Sequence, residues 1–216
     1  MEPTLFHSPL TPRRRRAHLG VAAGLAIVTS AACHNLVTAG RGASYVIVDK
    51  IEGASGAQPN DFGTSVASDV VTAGCVWTDI GRVTMHLALK DAGPTGTPTT
   101  PSPNNLITFE RYHIDFVRTD GRSTPGVDVP YAFDGAATFT VPDTGVTAGF
   151  QLVRLQAKLE APLIALRGGG GSLALSTIAE ITFYGHDQTG SAVTAKAAMT
   201  VNFADWGDPE GAKCST

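Results

Sequence analysis

Along much of this chain apolar and polar residues alternate one for one. Val83, Met85, Leu87 and Leu89 are interleaved with Arg82, Thr84, His86, Ala88 and Lys90, the period of a strand with one buried face. Leu106 to Arg118 repeats the pattern, with Tyr112, Ile114 and Phe116 on one side and Arg111, His113 and Asp115 on the other. Tyr45 to Asp49, Val66 to Trp77, Ala137 to Val141 and Phe150 to Leu159 read as further strands. Ile181 and Phe183, a turn at His186 to Gly190, and the alternation from Val193 to Phe203 predict an antiparallel hairpin.

Between these runs lie turn-forming residues. Gly53 to Gly63 predicts a loop, and four prolines between Gly93 and Pro103 predict a long exposed connection. Asp120-Gly121, Pro142 to Gly145 and Gly168 to Gly171 mark further breaks. No stretch has the period of an amphipathic helix. About eight strands separated by turns predict an all-β domain, an antiparallel two-sheet sandwich. The closing hairpin is similar to the last two strands of immunoglobulin-like domains in bacterial surface proteins, although the Cys and Trp spacing of antibody domains is absent. A jelly roll or small barrel would give the same one-dimensional pattern.

The first forty residues follow a different rule. Arg13 to Arg16 precede an apolar run from Leu19 to Val28, then Thr29, Ser30, Ala31, Ala32 and Cys33. A basic region, a short apolar region and a small-residue cleavage site are the parts of a secretory signal peptide. The run is too short to span a bilayer, which takes about 20 residues. Ser30-Ala31-Ala32-Cys33 resembles the lipobox of bacterial lipoproteins, with Ser30 where leucine is usual. The resemblance implies cleavage before Cys33 and a diacylglycerol on its thiol. It also implies attachment to the outer membrane, since His34 is not the aspartate of inner-membrane retention. The alternative is ordinary secretion with cleavage nearby. The expected organisation is a signal peptide (1–32), a small polar tether (33–43), a sandwich domain (44–208) and a tail (209–216).

Charge narrows the partners. Residues 1–32 hold four of the 16 basic residues and one of the 19 acidic ones, which leaves a net charge near −6 beyond them. That argues against nucleic acid, which needs a basic patch. With Cys33 lipidated, Cys75 and Cys214 remain as an even pair in an oxidising compartment. A bridge between them would close a long loop, a constraint of roughly 4–5 kcal/mol. Two unpaired thiols are the alternative.

Candidate chemistry is sparse. His113 and Asp115 share one strand face and could share a metal with His86 or His186, but a solvent face with Arg111 on it explains them as well. Gly63 to Ala67 lacks the strand–turn–helix setting of a nucleophilic serine, and no Lys-Ser or Lys-Thr follows Gly168 to Gly171 as a phosphate loop requires. Glu160 and Glu180 would serve glycoside chemistry only if the fold brought them close. Asp187, Asp205, Asp208 and Glu210 are oxygen ligands without a calcium-loop spacing. Trp77, Tyr131, Phe133 and Trp206 lie in or near loops and could stack on sugars. No catalytic residue, metal ligand or cofactor is assigned. The expected function is that of a non-catalytic envelope lipoprotein for binding, adhesion or envelope structure, with an envelope protein or glycan as partner. A secreted carbohydrate-binding module is the alternative, and a hydrolase comes third.

Overall fold

In a computed structural model, residues 42–91, 93–208 and 214 are described. The predicted signal peptide, Cys33, most of the tether and most of the tail lie outside them. Eight strands form: β1 (Ser44–Ala54), β2 (Ser65–Asp69), β3 (Asp79–Leu89), β4 (Ile107–Arg118), β5 (Phe133–Val141), β6 (Val146–Val153), β7 (Ala174–Asp187) and β8 (Ala192–Ala204). A short α-helix, α1 (Leu155–Leu159), and a 3-10 turn, Leu163–Leu166, lie between β6 and β7. Two sheets result, one ordered β1-β3-β6 and the other β2-β8-β7-β4-β5. They pack face to face as the all-β sandwich expected from the alternation.

The inner faces are the apolar halves of the alternating runs. Val83, Met85 and Leu87 of β3 are buried against Ile107, Phe109, Tyr112, Ile114 and Phe116 of β4 and Ile181 and Phe183 of β7. In β4 the odd spacing from Phe109 to Tyr112 still keeps both inside, because the register shifts between Phe109 and Arg111. A bulge places one extra residue there and restores the phase. The rings of Tyr112, Phe150 and Phe183 meet in edge-to-face or tilted pairs with centroids 5.3–6.2 Å apart. Each such pair adds about 0.5–1.5 kcal/mol beyond the area it buries. The Tyr112 hydroxyl donates to the Gln151 carbonyl and accepts from the Gln151 N–H, both at 3.1 Å. This links β4 in one sheet to β6 in the other.

Three expectations need correction. The sheets are not wholly antiparallel, since β2 runs parallel to β8. The second strand ends at Asp69 rather than at Trp77. The Asp69 carboxylate accepts from Val71 N–H and the Thr72 hydroxyl, and the chain then turns through Ala73 and Gly74 at positive φ. The run from Phe150 to Leu159 leaves the sheet at Val153 and coils into α1, which buries Ala157 and Lys158.

The registers define two ends. Ser44 at the start of β1 pairs with Leu89 at the close of β3, and Lys90 N–H donates to the Ala43 carbonyl. The turns after β5 and β7 lie at this near end. The connections 55–64, 70–78, 119–132 and 154–173 and the exit from β8 lie at the far end.

Candidate functional site

The far end carries buried polar groups and the exposed side chains of Tyr131, Leu155, Leu159 and Ile164. Its innermost feature is an ion pair. Lys158 of α1 and Asp79 at the start of β3 are both fully buried, with Nζ 2.7 Å from Oδ1. The same Asp79 oxygen accepts from Gly56 N–H at 2.9 Å, and Oδ2 accepts from the Ser68 hydroxyl at 2.5 Å. Ser68 belongs to β2, so this carboxylate joins both sheets and α1. The Lys158 carbonyl accepts from Arg167 at 3.2 Å. Lysine is almost never buried without a partner. Nothing in the sequence marked Lys158 as interior, because the strand reading placed it on the polar side.

Further out, Trp206 follows β8. Its backbone N–H donates to Asp69 Oδ1 at 3.0 Å and its indole N–H to the Asn202 carbonyl at 3.3 Å. Burial pushes the Asp69 carboxyl above its ordinary range, partly offset by hydrogen bonds from Thr72 and the Trp206 and Val71 backbone. The half-buried indole separates a shallow cleft of about 300 Å³ beside Ala73 and Asp208 from a smaller one beside Ser55 and Gln58. Asp205 accepts from Gly168 N–H and Asp208 from Ala73 N–H, so both hold loops. Cys75 and Cys214 are joined in a disulfide, with Cα atoms 5.5 Å apart. It closes a span of 139 residues and ties the chain beyond Trp206 to the turn after β2.

An opening of about 540 Å³ lies between Tyr131, Arg154, Gln156, Glu160 and Ala161. Tyr131 is 50% exposed. The Arg154 guanidinium lies over the Phe133 ring at 4.6 Å, and Gln156 donates to Glu160 at 2.6 Å. Leu155, Leu159 and Ile164 of the same connection are also exposed. An aromatic face, a guanidinium, an amide and a carboxylate around one open cleft can bind a polar ligand with an apolar side.

The histidines proposed as metal partners lie elsewhere and apart. His113 sits on the outer face of the larger sheet, its Nε2 3.1 Å from Asp115 and its Nδ1 3.1 Å from Asp134. Arg111 is 3.6 Å from the same Asp134 and lies over the Tyr184 ring. His86 is on the smaller sheet, 2.8 Å from Asp49. His186 pairs with Glu110 at 3.2 Å, and its contacts with the Asp187 carbonyl and Glu110 raise its pKa. Among the described residues no three His, Cys, Asp or Glu side chains are grouped to hold a metal. Glu160 caps the end of α1, whereas Glu180 lies within β7. Asp187 is buried and accepts from Thr189 and Ser191 within its own turn. Phe133 is buried, Trp77 and Trp206 half-buried, and Tyr131 exposed.

No family model and no curated protein matches the chain. Among solved structures it is similar to the X-ray structure of Northeast Structural Genomics Consortium target SoR45, at 12% identity over 81% of this chain and 93% of that one, with a TM-score of 0.35. A likeness at that level carries no argument about function.

Proposed function

We propose that the chain is a non-catalytic bacterial cell-envelope lipoprotein, held to the outer membrane through Cys33, whose sandwich presents its far end to an envelope protein or glycan. The observation that carries this reading is the separation of the two ends. The chain enters the sandwich at Ser44, at the near end, while Tyr131, Leu155, Leu159 and Ile164 are exposed at the far end. A lipid on Cys33, a short way ahead of Ser44 in the chain, would hold the near end toward the membrane and leave the far end outward. The strand order supports an immunoglobulin-like module. First, second and fifth strands share one sheet in that arrangement, and third, sixth and seventh share the other. Here β1, β3 and β6 face β4, β7 and β8, with β2 as an additional short strand beside β8 and β5 as an edge strand.

The test is membrane fractionation and intact mass of the chain expressed in a bacterium, beside Cys33→Ser. The expected wild type is membrane-bound with an acylated N-terminus, and the variant is soluble. Two soluble, unacylated forms would discard the lipid anchor. The open cleft at Tyr131 would then favour a secreted carbohydrate-binding module, read by Tyr131→Ala losing retention on a glycan column.

A further inference from the structure

The Asp79–Lys158 pair combines features that an ordinary structural ion pair does not need. Both side chains are wholly shielded from water. Among the described residues one acceptor, Asp79 Oδ1, meets the Lys158 Nζ, although an ammonium has three protons to place. The carboxylate, in contrast, receives hydrogen bonds on both oxygens, from Gly56 N–H and the Ser68 hydroxyl as well as from Lys158. An under-coordinated amine thus sits against a carboxyl group whose oxygens are already held by donors. With Nζ 2.7 Å from Oδ1, and Cγ one bond of about 1.2 Å further on, the nitrogen lies within about 4 Å of the carboxyl carbon. Fixed proximity of that kind replaces a bimolecular encounter.

We propose that Lys158 and Asp79 condense into an intramolecular isopeptide bond. One proton first passes from Nζ to Oδ1 along their hydrogen bond, giving an amine and a carboxylic acid. The Nζ lone pair attacks Cγ, and negative charge develops on Oδ2, where the Ser68 hydroxyl is placed to stabilise it. The Cγ–Oδ1 bond then breaks. Oδ1 takes a proton from nitrogen and leaves as one water, and Nζ–H and Cγ=Oδ2 remain as an amide. No electron donor or acceptor takes part. Two factors favour the product: it removes two charges from a site without solvent, and the shielded site keeps water from reversing the step. The bond would tie α1 covalently to β3, at the end of the sandwich that already holds the Cys75–Cys214 disulfide.

The experiment is a reduced and alkylated tryptic map of the full chain, purified folded and read by tandem mass spectrometry. Cleavage after Lys50, Arg82, Arg154 and Arg167 bounds the peptides concerned. The expected product is one branched peptide, 51–82 joined to 155–167, lighter by one water than the two linear peptides together and uncut at Lys158. Asp79→Ala and Lys158→Ala chains should each yield the linear peptides. Linear 51–82, together with cleavage at Lys158, from wild-type chain whose circular dichroism shows folded β-structure would overturn the proposal. That reading requires neither variant to fold.

Discussion

The two ends of the sandwich solve the same problem in different ways. At the near end two of the connections between strands are tight turns closed by their own residues. Asp187 accepts from the N–H groups of Thr189 and Ser191, each at 2.9 Å, and Gly145 N–H bonds the Pro142 carbonyl at 3.2 Å. At the far end all four connections are long, as 90–106 is at the near end, and they are held by groups distant in sequence. Asp79 reaches Lys158, Asp69 reaches Trp206, and Cys75 reaches Cys214. Local closure needs little besides turn chemistry. Long connections carry binding surfaces, and here they are fixed by buried polar anchors and a covalent link. The difference teaches where variation in this fold can be tolerated. The near end should absorb substitutions, and the far end should fail when one anchor is removed.

The largest expected effect follows from removing the deepest anchor. Lys158→Met leaves the Asp79 carboxylate buried with neither a cation nor an amide partner, a loss of about 3–5 kcal/mol even before any covalent link is counted. Urea denaturation should show it. Hydrogen exchange should place the added opening in 55–79 and 154–173 rather than around the turn at Asp187. An even loss of protection at both ends would break the comparison. Next comes Gly81→Ala in β3. A Cβ at Gly81 would run into the Phe150 ring, whereas one at Gly149, on the neighbouring strand, would find its nearest neighbour at 3.9 Å. Overpacking of this kind costs about 1–3 kcal/mol, so Gly81→Ala should lower the urea midpoint well below that of Gly149→Ala. A smaller effect is expected for Tyr112→Phe. It removes the hydroxyl shared with both polar groups of the Gln151 backbone while keeping the ring, a loss of about 1 kcal/mol.

Alternation alone decides structure in the long strands. β3 and β8 are legible because their apolar residues repeat with period two, whereas β4 keeps its phase only through the bulge between Phe109 and Arg111, and Ile181 and Phe183 mark only the second half of β7. Alternation misleads where a long-range polar contact overrides local pattern. Leu155, Ala157 and Leu159 continue the alternation of β6 on paper, yet the chain coils there and carries Lys158 inward to Asp79. No local signal distinguishes a lysine that will meet a buried carboxylate from one bound for solvent. β2 likewise ends where the Asp69 carboxylate begins to cap a turn, although Val70 and Val71 would suit a strand. The cleft at Tyr131 was half legible. The exposed aromatic is among the candidates, but Arg154 and Gln156 read as the polar face of a strand that in fact ends at Val153. Pairing of Cys75 with Cys214 stood open in the sequence, since spacing does not fix connectivity.

Acid titration gives the smallest effect and the sharpest contrast between the ends, because it has opposite signs at Asp187 and Asp69. Burial alone would raise the Asp187 carboxyl, but the hydrogen bonds from the Thr189 hydroxyl and the Ser191 and Thr189 N–H groups outweigh it and hold it below its ordinary value. Its stabilisation is complete above the unfolded value of about 3.9 and is lost as pH falls through the lower folded value. At Asp69 burial outweighs the hydrogen bonds, and the carboxyl lies above its ordinary value. The folded chain then takes up this proton before the unfolded chain does. The cost of keeping Asp69 ionised is therefore relieved as pH drops through the raised folded value, and it is gone below about 3.9. Urea midpoints measured across that range for the wild type, Asp69→Asn and Asp187→Asn resolve the two contributions. On acidification the wild type should gain stability relative to Asp69→Asn and lose it relative to Asp187→Asn. If both differences moved in the same direction, the two carboxylates would share one electrostatic environment, and the contrast between a locally closed end and a remotely anchored one would not extend to their protons.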